Sequence, residues 1–210
     1  MPAARRRTPG RRRWLWWLTP LPVALLLAAA PIACSTTVVA PAALSDPVPI
    51  FVVDYGTTSA VVLPYGDDLL AFVYGDWQYY ALTNNHLLNG VAALVWPTQG
   101  TLGRGRLRGP PACEQVLAQL RGRGVEDVHV VRVERADVER LVQRLDELYE
   151  AHRATEVANA EYGMSFVHHP RRYTWFWNSN HQTAAWLEAV GCEVRGPAFA
   201  SRWRIEEADR

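Results

Sequence analysis

Between residues 138 and 149 the apolar side chains Val138, Leu141, Val142, Leu145, Leu148 and Tyr149 recur at steps of three and four, with arginine and glutamate between them. That spacing predicts an amphipathic helix with one stripe to bury and a solvated, charged back. Upstream the period changes. Ile50–Asp54 and Ser59–Leu63 read as short strands around the turn-like Tyr55-Gly56-Thr57-Thr58, Leu69–Tyr74 as a third, and Val125–Val133 as a further strand of alternating character. Gly75–Leu82 predicts a helix capped by Asp76, and Glu114–Leu120 another short one. The glycine- and proline-rich passage Gly100–Pro111 reads as irregular chain. Short strands and separate helices in this order predict an α+β domain, a small, largely antiparallel sheet packed with helices.

The N-terminus predicts export. Arg5–Arg7 and Arg11–Arg13 form a basic region ahead of the apolar segment Trp14–Ala33, the arrangement of a signal peptide. Its length approaches that of a membrane span, about 20 residues, but Pro20, Pro22 and Pro31 interrupt it, which favours a cleaved signal over a retained anchor. Cleavage before Cys34 would make that residue a lipid-attachment cysteine. The division expected is a signal peptide over 1–33, the cysteine and a Pro/Ser/Thr-containing tether over 34–48, and one domain over 49–210. Six of the 22 basic residues precede Cys34 and none of the 21 acidic ones does, so the remainder carries a net charge of −5. That mildly acidic body lacks a basic patch for nucleic acid, which is not expected as a partner. If Cys34 carries lipid, Cys113 and Cys192 are left as a candidate disulfide, although Cys192 after Gly191 reads equally as a small buried hydrophobe.

The second half is dominated by Tyr173-Thr174-Trp175-Phe176-Trp177, an aromatic run that stops at Asn178-Ser179-Asn180-His181-Gln182. Ala184, Ala185, Leu187, Ala189 and Val190 then give an apolar face at helical spacing, and Gly191 supplies a stop. Ser179 followed three residues later by Gln182 matches a capping box, a purely structural role. The same serine is also a candidate nucleophile, and both readings stand at the level of sequence.

Three segments carry a resemblance to a known family. Tyr55 to Pro64 resembles an opening His-Gly-x-His-Thr-Gly motif followed by Ile-Val-Leu-Pro, Tyr74-Gly75-Asp76-Trp77 through Tyr80 resembles a Gly-Trp-Gly-Asp segment ending in an aromatic, and Asn178 to Ala184 resembles Asn-Cys-Asn-Thr-Trp. These belong to poorly characterised bacterial exported proteins related to the permuted NlpC-type, papain-like superfamily, which includes the lecithin:retinol acyltransferase relatives. The resemblance implies a permuted papain-like fold in which a strand-borne histidine activates a cysteine on the first turn of a helix, where a thiol ionises readily. Here the histidine position falls on Thr58 and the cysteine position on Ser179. Threonine is no general base near neutral pH, and a serine hydroxyl needs one more than a thiol does. The resemblance therefore implies a scaffold with its usual chemistry removed.

The histidines that could substitute as base are His181, His168, His169 and His86. His181, two residues after Ser179, points elsewhere on a helix, whereas His169, just before Pro170, can approach through the loop leading to it. No histidine or cysteine spacing matches a metal site, and no cofactor is expected. Asp76, Trp77, Asn178 and Asn180, among the aromatics, are candidate ligand-binding residues for a peptide, glycan or acyl group, unless those aromatics simply fill the core. The sequence thus predicts an exported, lipid-anchored envelope protein with a degenerate papain-like scaffold in a binding or structural role, attached to the membrane through its N-terminal lipid or signal anchor. The alternative is a hydrolase or acyltransferase using Ser179 with His169 or another histidine, and a third reading is an assembly partner with an aromatic groove.

Overall fold

The structure, a computed structural model, describes residues 35–83 and 96–208. The expectations that concern the signal peptide, Cys34 and His86 lie outside the described residues. Among the described residues no helix is long and apolar enough to cross a membrane.

The three apolar runs form a meander of β2 (Pro47–Asp54), β3 (Ser59–Tyr65) and β4 (Asp68–Asp76), paired antiparallel with Phe51 opposite Val62 and Val62 opposite Ala71. Their period is two, yet both faces are apolar. Ile50, Val52, Val61, Leu63, Phe72 and Tyr74 enter one core cluster, while Phe51, Val53, Ala60, Val62, Ala71 and Val73 enter another. The meander is therefore the middle layer of the molecule, buried on both sides. Burying each such large side chain contributes about 1.5–3 kcal/mol.

Helix α1 (Trp77–Tyr80) follows β4 directly, with Asp76 as its N-cap, as the sequence predicts. Then come β5 (Gly100–Leu107), α2 (Cys113–Leu120), β6 (Asp127–Glu134), α3 (Arg135–Ala151), β7 (Val157–Asn159) and β8 (Met164–His168). Together the strands make a seven-stranded sheet in the order β6-β2-β3-β4-β5-β8-β7, antiparallel at every pairing. The chain closes with α4 (Ser179–Ala189), β9 (Glu193–Arg195) and β10 (Trp203–Glu206). The protein is thus an α+β structure with a largely antiparallel sheet packed with helices. Helices α3 and α4 cover the first face and α2 the second.

α3 buries Val138, Leu141, Val142, Leu145 and Tyr149, the stripe expected from periodicity. It is also tied to the sheet through Arg104 on β5, whose guanidinium reaches Asp146 at 2.9 Å and Glu150 at 3.1 Å and lies 3.8 Å over the Tyr149 ring. Across the sheet, the thiol of Cys113 packs with the second cluster and Cys192 with the first, so both are free and the expected disulfide is not formed. The sheet itself stands between them.

Two further expectations are corrected. The stretch expected as a tether is built into the body over residues 35–48: β1 (Thr36–Val39) pairs parallel with β10 and antiparallel with β9, and Val38 is fully buried. The passage Gly100–Pro111 is not irregular either, since its first eight residues are β5, inside the sheet. Its glycines make room for neighbours, because a Cβ on Gly103 would sit 2.5 Å from the Phe166 ring and 2.7 Å from Val73. Glycine is favoured in a strand interior where other groups cross that closely.

Candidate functional site

One end of the large sheet gathers the motifs. There β3 begins, β4 stops, β5 begins and β8 stops, so that Asp76 lies opposite Gly100 and Thr101 opposite His168. The β2–β3 turn is shaped by Asp54, whose Oδ1 accepts from the Gly56 amide at 2.6 Å, with Gly56 at φ +82°. Helix α4 begins against this turn.

The start of α4 differs from the expected capping box. Asn178, not Ser179, is the N-cap: its Oδ1 accepts from the Asn180 amide at 3.0 Å and the His181 amide at 3.2 Å. Gln182 instead uses its Oε1 to accept from the Trp177 indole at 3.0 Å. At the other end Gly191, at φ +88°, stops the helix as expected, its amide donating to Glu188 and that of Cys192 to Leu187. This is the paired arrangement that releases a chain from a helix.

Asn180 is completely buried and holds three segments together. Its Oδ1 accepts from Ser59 Oγ at 2.6 Å, while its Nδ2 donates to the carbonyls of Thr57 at 3.0 Å and Phe199 at 3.3 Å. Asn178 Nδ2 also donates to Phe199 O, and Thr183 Oγ1 reaches Ser59 O at 3.5 Å. Beside this hub Ser201 Oγ donates to Asp54 Oδ1 at 2.6 Å. Ser59, Ser201, Asp54 and the Phe199 carbonyl are absent from the residues singled out in the sequence. Only Asp54, two before a glycine, carries a local signal, that of a side chain closing a turn.

Ser179 is 1 % exposed and its Oγ has no hydrogen-bond partner. Among the described residues no histidine therefore serves it as a base. Thr58, at the matched histidine position, lies just before β3 and makes no bond to Ser179, whose Oγ has no partner. The alternation of β3 turns Ser59, rather than Thr58, toward α4. His181 shares Asn178 Oδ1 through its Nδ1, 2.9 Å away, and lies edge-on to Phe199. Since that oxygen can only accept, Nδ1 carries the hydrogen and Nε2 the lone pair. Burial lowers its pKa. His169 accepts from the Arg171 amide through Nδ1 at 3.0 Å, packs edge-on to Tyr74, and is pushed down to about 4 by burial. For both imidazoles burial disfavours the charged form.

Asp76 caps α1 by accepting from the Tyr79 amide at 2.9 Å, and its second oxygen, buried, has no protein partner. Trp77 next to it packs edge-on to His168 at 4.3 Å. The structure places Asp76 and Trp77 at the strand end that also bears His169, and Asn178 and Asn180 in the hub. Tyr173 and Trp177 pack against the core, as the bland reading of the aromatics expects, but Phe176 and Trp96 are exposed. A cavity of ≈ 440 Å³ opens beside the hub, lined by Asp54, Gly56, Thr57, Glu126, His129 and Ser201 among others. Its walls are mainly polar and of both charges. Among the described residues no group of three or more His, Cys, Asp or Glu is placed to hold a metal ion.

Compared with family models, with curated proteins and with solved structures, the chain matches none.

Proposed function

We propose that the chain is an exported envelope protein, anchored through a lipid on Cys34, whose permuted papain-like scaffold has lost its thiol chemistry and serves a binding or structural role. The observation that carries this reading is Ser179, buried with an unpartnered hydroxyl. A serine without a base and without access to solvent is not an activated nucleophile. The papain-like reading is supported by the start of α4 against the β2–β3 turn, where Asn180 bonds Ser59 and Thr57. That is the juxtaposition a helix-borne nucleophile and a strand-borne base require. The polar cavity beside Asp54 and Thr57 favours a peptide or glycan over an acyl chain as ligand.

Fluorophosphonate labelling tests the loss of chemistry. The expected result is no labelling of the wild-type chain. Labelling that disappears in Ser179→Ala would replace this reading with the serine hydrolase or acyltransferase. Anchoring is tested separately by metabolic incorporation of a palmitate analogue, expected in the wild type and abolished in Cys34→Ala.

A further inference from the structure

Among the described residues the most exposed aromatic side chains are Phe176, 77 % exposed, and Trp96, 75 % exposed, and both lie at the hub end. Trp175 and Phe176 are the two tip residues of a tight turn, closed by Thr174 N to Trp177 O at 3.2 Å and Trp177 N to Thr174 O at 3.1 Å. Tight turns select Gly, Asn, Asp, Pro and Ser for their backbone angles and local hydrogen bonds. A Trp-Phe tip offers none of these. Local rules are broken in this way where function demands it.

The tip is braced from behind. Thr98 and Tyr173 exchange both backbone hydrogen bonds, at 3.0 and 3.1 Å, which lays the Trp96 segment alongside the turn. Trp175 stacks on Phe199 at 5.9 Å, and the Arg171 guanidinium lies 3.9 Å over the Trp177 ring, with Arg172 exposed next to it. Aromatic tips with arginines at their base match a membrane interface, where the rings sit among headgroups and the cations meet phosphates. Of the acids at this end, Asp54 and Asp76 are buried, and Glu126 and Asp127 adjoin β6, toward the opposite edge of the sheet from β8.

The chain also enters the body here. Thr36 N donates to Arg202 O at 2.8 Å, and Thr36 Oγ1 accepts from the Ala198 amide at 3.0 Å. Ser35 lines the same cavity as Thr57. Two residue steps separate Cys34 from Thr36, a reach of at most about 7 Å. An anchor at Cys34 would hold this end, and no other, at the bilayer.

We propose that the Trp175-Phe176 turn, with Trp96 beside it, inserts into the interface of the lipid bilayer that carries the anchor, so that the hub end of the body lies against the headgroups. The inference rests on the anchored reading above. Its test uses the full chain on a Cys113→Ser background, reconstituted into phosphatidylcholine/phosphatidylglycerol vesicles with a fraction of spin-labelled lipid. An environment-sensitive fluorophore is attached at Phe176→Cys, at Trp175→Cys, or at Asp67→Cys in the β3–β4 turn at the far end of the strands; the parent without these cysteines sets the background. The expected result is blue-shifted emission and loss of fluorescence to the spin label at 175 and 176, with neither at 67. Three results would overturn the proposal. A chain that does not float with the vesicles removes the anchored reading and this inference together. One that floats with 176 as water-exposed as 67 removes this inference alone. A blue shift at 176 without quenching by the lipid points to a protein partner or a second copy in place of the bilayer.

Discussion

Helices α3 and α4 lie on the same face of the sheet and are built on opposite principles. α3 has no side-chain cap, meets the sheet with a regular apolar stripe and carries its charge outward or to Arg104. α4 is capped by Asn178 and buries Ser179, Asn180 and Thr183 in its first turns. The first arrangement is general hydrophobic adhesion, tolerant of register. The second is a set of directional bonds to Ser59, Thr57 and Phe199, each of which leaves a buried polar group stranded if it fails. Where adhesion would have sufficed, a buried polar helix start marks the place where geometry is held.

The contrast can be broken by substitution. Leu145→Ala on α3 is expected to cost about 2–5 kcal/mol in urea unfolding, through lost burial and a residual cavity. Asn180→Ala follows at about 3 kcal/mol, because the Ser59 hydroxyl and the Thr57 carbonyl lose their partner. If the loss proves far smaller, the hub does not hold the end of the sheet together.

A pH titration sharpens it further. His169 titrates in the folded state at about 4, below the ordinary 6.5, so as pH falls the unfolded chain binds the proton first. Its contribution is complete above about pH 6.5 and is lost as pH falls toward about 4, about 3 kcal/mol over the window. His181, displaced in the same direction by burial, adds to that slope. His169→Gln should flatten the curve of stability against pH, and an unchanged slope would deny the burial its role. Asn178→Ala is expected to cost about 1–2 kcal/mol, the loss of a helix cap. Ser179→Ala stands last, with a change near zero, because its hydroxyl makes no bond to lose. A marked loss of stability there would mean that the hydroxyl has a partner in solution.

The same contrast explains what could be read in advance. α3 and the β2–β4 meander were legible because apolar spacing alone defines them. β5 was hidden by its glycines, whose space is claimed by Phe166 and Val73, residues from distant parts of the chain. β1, β9 and β10, three or four residues each, have no periodicity to detect, and the Pro, Ser and Thr around β1 have the composition of a tether. At the hub, Asn180 and Ser59 are 121 positions apart, so no local pattern announces their bond. The motif resemblance did bring Thr58 and Ser179 into consideration together, but the alternation of β3 makes Ser59 the residue that meets the helix. Ser179→Gln182 spacing fitted a capping box; the presence of Asn178 one place earlier, an equally strong cap residue, displaced it.

The pairing of β1 sets the order in which the protein can be completed. Thr36 lies opposite Trp203 and Val38 opposite Val194, so the first strand has its partners among the last residues of the body. A chain made from its N-terminus delivers β1 long before β9 and β10 emerge. Until then the strand presents unpaired backbone, the template on which other chains join. Completion is therefore a late event in folding, and a chain arrested or clipped ahead of residue 193 would keep its large sheet but lose the clasp that fixes β1. The short length of β1, four residues, keeps that waiting edge small.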